Sequence, residues 1–302
     1  MLICLTGVDL PIGQMVKQRL VSQGVIVEGV SNALTLSSEP KVLDEYLATI
    51  PKVDFVIHGA ELDWQRAEEN PAQALRQSVL ACSTIVNFAN NRDVPLILLS
   101  SFMVFDGSKK NPYISANSGQ PINAYGHAKL AVENFVLENY SRSLLLRLGW
   151  LMDESATGWL GCLMQQLLTG QTVSAYTDIV LSPTATVDVA RVIDAILKQL
   201  ACGIDVWGLY HYAGTEPVSH ENLVKAIQYQ ALGQDLQESQ IVVNVFCPSE
   251  QGIQLPKNAV LGCIKLRNTF GIKQLPWRRY LPALVEKHLS NADSGREQTV
   301  AH

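Results

Sequence analysis

The segment NAYGHAK places a phenol, Tyr125, and an ammonium, Lys129, four residues apart. In a helix that spacing puts both side chains on one face. An ammonium beside a phenol favours the phenolate, drawing a group with an ordinary pKa of about 10 toward neutrality. Such a tyrosine can give its proton to a carbonyl oxygen while hydride reaches the carbon. Upstream, LILLSSFMVFDG ends an apolar run in Ser100 and Ser101. A Ser101 hydroxyl can hydrogen-bond the same carbonyl, although serines at a strand end also satisfy backbone groups. A third piece lies at the start of the chain. TGVDLPIG follows the apolar run LICL, and Gly7 and Gly13 suit a glycine-rich turn under a diphosphate, with Ile12 and Gly13 opening a helix.

These groups need a scaffold. LICLTG, VIVEGV, VDFVIHGA, VPLILLSS and SLLLRLG read as five buried strands, with helices over residues 11–23, 40–50, 70–91 and 123–140 between them. Strands that are apolar almost throughout are covered on both faces. The βαβα order therefore predicts an α/β protein, a doubly wound parallel Rossmann sheet with a smaller C-terminal lobe. Further helices are expected near 158–169, 185–201, 219–231 and 276–289, and strands at 171–176, 207–213 and 240–247. The expected organisation is a dinucleotide-binding core over 1–149, to which 185–215 return. A substrate lobe spans 150–184 and 216–289, and 290–302 reads as a disordered tail.

The chain has 302 residues, 47% of them hydrophobic and 17% charged, with a formal charge of −5. That balance argues against nucleic acid or an anionic membrane as the main partner. No apolar run approaches the ~18–20 residues of a membrane span, and no export signal is visible. The cysteines at 4, 82, 162, 202, 247 and 263 are scattered, without metal-ligand spacing. They are expected to be buried, reduced thiols of a cytoplasmic protein, and no metal site is expected.

The ordered motifs together resemble the extended short-chain dehydrogenase/reductase superfamily, and within it the dTDP-4-dehydrorhamnose reductases of the sugar-nucleotide-binding branch. The likeness runs from Met1 to about Leu289. It is carried by Ser100-Ser101-Phe102-Met103-Val104-Phe105-Asp106-Gly107, by Asn123, Tyr125, Gly126, Lys129 and Glu133, and by Arg147 and Trp150. Asp178, Pro183 and Thr184 follow, then Gly208, Tyr210, His211, Ala213 and Gly214. The resemblance implies NAD(P)H-dependent reduction of a 4-keto-deoxysugar on a nucleotide, with NADP or NAD as cofactor and a nucleotide-sugar as small-molecule partner. Relatives of this kind often form homodimers. Tyr125 would be the proton donor. Lys129 would tune it and hold the nicotinamide ribose, and Ser101 would orient the carbonyl. Trp150 would line the substrate pocket with Phe102, Met103 and Lys257. His58, Gly59, Ala60 and Ser100 would line the cofactor cleft.

Several positions depart from the pattern. Leu10 replaces a cradle glycine, and its isobutyl group is expected to crowd the diphosphate. Asp9 is expected at the start of the first helix, with Pro11 in the first turn. By spacing, the ribose reader falls at Ser31 and Asn32, where no carboxylate selects NAD and no Arg selects NADP; small polar residues do not repel a 2′-phosphate, which leans to NADP. Phe102 and Met103 replace polar groups, Leu181 a glycine, and Ser78 an asparagine. Lys257 only partly replaces a diphosphate-clamping Arg. His127 is expected to face away from the Tyr125–Lys129 pair. Beside the reductase stands a second reading, a non-catalytic binding or regulatory protein on the same fold, resembling the regulatory subunit of methionine adenosyltransferase. A third, an epimerase or dehydratase, is disfavoured because Phe102-Met103 holds no acid pair.

Overall fold

A strand that is apolar on both faces must be sandwiched, and here helices sandwich one parallel sheet. The computed structural model describes residues 1–233, 241–244 and 253–300. Strands β1 (Leu2–Thr6), β2 (Ile26–Val30), β3 (Phe55–His58), β4 (Leu96–Ser101), β5 (Ser143–Leu148) and β10 (Gly208–Tyr212) lie in the order β10-β5-β4-β3-β1-β2. Every neighbouring pair is parallel. From β1 the chain moves outward to β2 and then returns to β3 on the other side. The strand order therefore reverses beside the carboxyl end of β1, where such sheets bind ligands.

Helices α1 (Pro11–Ser22) and α8 (Thr186–Ala201) cover one face, packed over Ile3, Leu5, Ile57, Leu144 and Leu146. On the other face lie α3 (Pro40–Thr49), α5 (Pro71–Asn91) and α6 (Ala124–Asn139), packed over Cys4, Val56, Leu96 and Leu145. Two short helices missed by periodicity follow strand ends: α2 (Asn32–Thr35) after β2, and α4 (Trp64–Glu69) after β3. Both are too short for a periodic apolar stripe to register.

After β5 the chain builds three small two-stranded sheets. β6 (Trp150–Met152) pairs with β9 (Pro183–Ala185), β7 (Val173–Tyr176) with β12 (Ile241–Asn244), and β8 (Val180–Leu181) with β11 (Val218–Ser219). Among the described residues, helices α7 (Trp159–Leu168), α9 (His220–Leu232), α10 (Ile264–Phe270) and α11 (Leu281–Val300) also belong to this part. Its apolar cluster includes Met164, Ile179, Leu181, Leu223 and Trp277. α11 runs through the boundary placed at 289 from sequence, and residues 301–302 lie outside the described residues. Of the strand expected over 240–247, only 241–244 are described. Cys4, Cys82 and Cys263 are buried free thiols, whereas Cys162 and Cys202 are exposed; Cys247 lies outside the described residues. The expectation of burial thus fails for Cys162 and Cys202: one faces outward from α7, and the other caps the end of α8.

Helix α6 is pinned at several points. Asn123 caps it by accepting from the Gly126 N–H at 2.7 Å, and Glu68 of α4 accepts from the Ala124 N–H at 2.6 Å. Two turns beyond Tyr125, Glu133 takes the Arg147 guanidinium of β5 in a bidentate pair, with Nη2 2.6 Å from Oε2, and accepts from the Ser100 hydroxyl of β4 at 2.5 Å. Both charged side chains are almost wholly buried. Removing one partner of such a pair strands the other charge, at a cost of about 3–5 kcal/mol. Glu133→Ala should therefore lower the urea midpoint by an amount equivalent to about 3–5 kcal/mol, read from equilibrium denaturation curves.

Candidate active site at the carboxyl edge of the sheet

The edge where β1, β2, β3 and β4 end carries the groups singled out by sequence. In the β1–α1 turn, Gly7 has φ +70°, and a Cβ there would lie 2.7 Å from the Gly59 carbonyl oxygen. A Cβ on Gly13 would lie 2.0 Å from the Gly7 carbonyl oxygen. Both glycines are required by close backbone approach. Helix α1 begins with Pro11, has no side-chain cap and carries no acid in its first turn. The backbone N–H groups of Ile12 and Gly13 therefore sit at a helix N-terminus that suits an anionic diphosphate.

Leu10 sits in this turn without strain, at φ −73° and ψ 153°. Its side chain packs, partly buried, against the apolar cluster beneath α1 and α8. The isobutyl group expected to crowd a diphosphate is thus engaged in apolar packing. Asp9 precedes the capping position rather than starting the helix, and its carboxylate accepts from the Asn32 N–H at 2.5 Å. An exposed carboxylate next to an open backbone donor at the end of β2 explains the difference. Ser31 caps α2 by accepting from the Leu34 N–H at 3.2 Å. The Asn32 amide pairs reciprocally with the Glu61 backbone, accepting from its N–H at 2.8 Å and donating to its carbonyl at 2.9 Å.

His58 ends β3 and is buried, its Nδ1 2.7 Å from the Thr6 hydroxyl of β1. Burial, aided by the positive charge of Lys129, lowers its pKa to about 3. Gly59 and Ala60 carry the chain back under the Gly7 turn. A narrow pocket beside them is lined by His58, Ala60, Leu62, Ser78, Tyr125 and Lys129, among others.

Tyr125 and Lys129 lie on the face of α6 turned to this edge, and Tyr125 is 1% exposed. The Tyr125 hydroxyl donates to Glu61. Lys129 Nζ lies 3.9 Å from the same Glu61 oxygen and donates to the Leu99 carbonyl at 3.5 Å. Glu61 is a neighbour of this pair that sequence reasoning missed. Its signal was an acid three residues past His58, on a loop leaving a strand at the ligand-binding edge. His127 is exposed, as its spacing predicts.

Ser101 is partly buried and accepts from the Met103 N–H at 3.2 Å at the start of a 3₁₀ turn, Phe102–Val104. That bond uses the oxygen and leaves the hydroxyl proton for another acceptor. Ser100 instead donates to Glu133. Met103 is fully buried, with its Sδ 3.5 Å from the Asn123 amide nitrogen. Phe102 packs on Trp150 at 5.8 Å between ring centroids. Trp150 is buried among Trp64, Trp159 and His220, and its indole N–H has no hydrogen-bond partner among the described residues. Trp64, also unanticipated, links this cluster to Tyr125 at 5.7 Å. Lys257 is mostly exposed and pairs with Asp178 at 3.1 Å. Among the described residues, no group of three or more His, Cys, Asp and Glu side chains could hold a metal ion, and no helix is long and apolar enough to cross a membrane.

The match to the model of the RmlD substrate binding domain extends over residues 1–290. This chain belongs to that family. Among its relatives, a dTDP-4-dehydrorhamnose reductase of Aggregatibacter actinomycetemcomitans is 25% identical over 219 residues, 72% of this chain and 74% of the relative. The methionine adenosyltransferase 2 subunit beta of Mus musculus is 31% identical over 234 residues, 73% of this chain and 67% of the relative. Among solved structures, the dTDP-4-dehydrorhamnose reductase of Bacillus anthracis in complex with NADP superposes with a TM-score of 0.81 at 19% identity, covering 94% of this chain and 96% of that one. The relatives thus include enzymes and a subunit of another enzyme.

Three of the buried imidazoles, His58, His211 and His220, give this fold an acid liability. Burial lowers His58 to about 3; burial, then Arg147 and Lys265, lowers His211 to about 3; and burial lowers His220 to about 4. In the unfolded chain each takes a proton near its ordinary value of about 6.5. Between those limits the unfolded state binds more protons, so stability falls as pH falls from about 6.5 toward 4. The melting temperature should drop across that window, and His58→Asn should make the drop shallower than in the wild type.

Proposed function

We propose that this protein is an NAD(P)H-dependent reductase of the extended short-chain dehydrogenase/reductase type, acting on a nucleotide-linked 4-keto-deoxysugar. The observation that carries this reading is the placement of Tyr125 and Lys129 on one helix face beside the Gly7–Gly13 cradle at the strand-order switch. The chain's own residues fit a dinucleotide at the cradle end, where two glycines admit close backbone approach and an uncapped helix N-terminus would take the diphosphate. A nicotinamide held there would supply hydride to the carbonyl carbon. Tyr125 delivers a proton to the carbonyl oxygen, so ketone, hydride and proton together give the secondary alcohol and oxidised cofactor. Lys129 supplies positive charge beside the phenol, and the Ser101 hydroxyl proton is directed to the carbonyl oxygen. Trp150, Phe102 and Trp64 form an apolar wall against which a sugar or base can stack.

Ser31 and Asn32 bring no cation to the adenosine end, and Asp9 sits on the Asn32 N–H. A 2′-phosphate there has to meet a charge of its own sign, which offsets the lean to NADP read from small polar residues. Both cofactors remain within the proposal.

A second reading has a specific observation behind it. The Tyr125 hydroxyl is occupied by Glu61, and one relative at 31% identity is named as a subunit of methionine adenosyltransferase. On that reading the fold binds a dinucleotide or nucleotide-sugar and serves a partner protein without turnover.

Turnover of nucleotide keto-sugars with NADH or NADPH, followed by nicotinamide absorbance, separates the two. Tyr125→Phe should lower kcat by about 10²-fold or more while cofactor still binds, consistent with the loss of a general acid. Turnover at the wild-type rate in that variant would remove Tyr125 from its role. No turnover by the wild type with any such substrate, together with intact cofactor binding, would favour the binding protein.

A further inference from the structure

The groups meant to receive the nicotinamide end of a cofactor are already engaged by a carboxylate of the chain itself. Tyr125 donates its phenolic proton to Glu61, and the Lys129 ammonium lies 3.9 Å from the same oxygen. The Glu61 side chain is 31% exposed, against 13% for Lys129, while Tyr125 is 1% exposed. The carboxylate therefore stands between solvent and the acid pair. Its backbone is held independently, through both its N–H and its carbonyl, by the Asn32 amide. Asn32 is in turn held by Asp9. A rigid peptide with a rotatable, partly exposed side chain can release the phenol without moving the loop.

We propose that Glu61 sets cofactor affinity at this site by competing, through its carboxylate, for the Tyr125 hydroxyl and the Lys129 ammonium. The inference rests on the reading that these two residues receive the nicotinamide ribose of a reductase cofactor. When the ribose arrives, its hydroxyls exchange for the carboxylate on both groups, and the Glu61 side chain rotates into solvent. Binding must break a charge-assisted hydrogen bond and a partly screened ion pair, so affinity is lower than the cradle alone would allow. The same step exposes Tyr125 to a substrate carbonyl only when cofactor is in place.

The test is a fluorescence titration of the full chain with NADH and with NADPH, in wild type, Glu61→Ala, Glu61→Asp and Glu61→Gln, each checked for folding by its melting curve. Glu61→Ala should tighten both cofactors by about tenfold, in line with release of one charged hydrogen bond. Glu61→Asp keeps the charge on a side chain one methylene shorter and should also tighten binding. Glu61→Gln keeps the length without the ion pair and should gain less than Glu61→Ala. Tightening in Glu61→Ala but not in Glu61→Asp would overturn the proposal in favour of simple repulsion of the diphosphate. Unchanged or weaker binding in folded Glu61→Ala would overturn it in favour of a scaffolding role. Absence of cofactor binding in the wild type and in every variant would overturn the reductase reading itself, and this inference with it.

Discussion

Glu133 and Arg147 form a buried ion pair between α6 and β5, and the rotation of α6 about its own axis follows from it. Tyr125, Lys129 and Glu133 are spaced four residues apart, so they line one stripe of the helix. Tying Glu133 to β5 through Arg147 and to β4 through Ser100 turns that stripe toward the sheet. The pair is expensive to desolvate and adds little net stability when whole, but breaking it is costly. Its effect is positional. With the far end of the stripe fixed and the near end capped by Asn123 and Glu68, Tyr125 has little freedom to leave the carboxyl edge.

A second constraint ties three loops from distant parts of the chain. Asp9 from the first turn bonds the Asn32 backbone at the end of β2, and the Asn32 amide clamps the Glu61 backbone beyond β3. The Gly7 turn lies against Gly59 with no room for a side chain. These contacts shape the cleft around backbone groups rather than long side chains. A small change of residue type, such as Leu10, is absorbed when its side chain finds apolar packing on the sheet side. The same set of ties holds the Glu61 backbone while its carboxylate, on a rotatable side chain, faces the acid pair.

The remainder of the edge is aromatic. Trp64, Trp150, Trp159, Phe102 and His220 stack edge-on and tilted around one another, and His220 accepts from the Tyr176 N–H at 3.3 Å. A neutral, buried His220 suits this surrounding, because burial holds its pKa at about 4. The second part of the chain thus meets the sheet through large rings, which bury much area with few hydrogen bonds to satisfy. The Trp150 N–H is the exception, a donor without a partner among the described residues at the boundary between the two parts.

The amino-acid sequence by itself determined the elements of the sheet and its parallel, doubly wound character, because apolar runs and helical stripes are local and periodic. It also determined that Tyr125 and Lys129 share a helix face, since spacing alone sets that. The short helices α2 and α4 were not legible, being fewer residues than a periodic stripe requires. Nor was the role of Asp9, whose partner lies across the cleft rather than along its own helix. Nor was the hydrogen bond from Ser100 to Glu133, which joins β4 to α6 across 33 positions of sequence. Only the tertiary structure decided that Glu61 meets the acid pair. That contact joins residues on a loop and a helix 64 positions apart, and no local pattern encodes which carboxylate a folded chain brings to a given phenol.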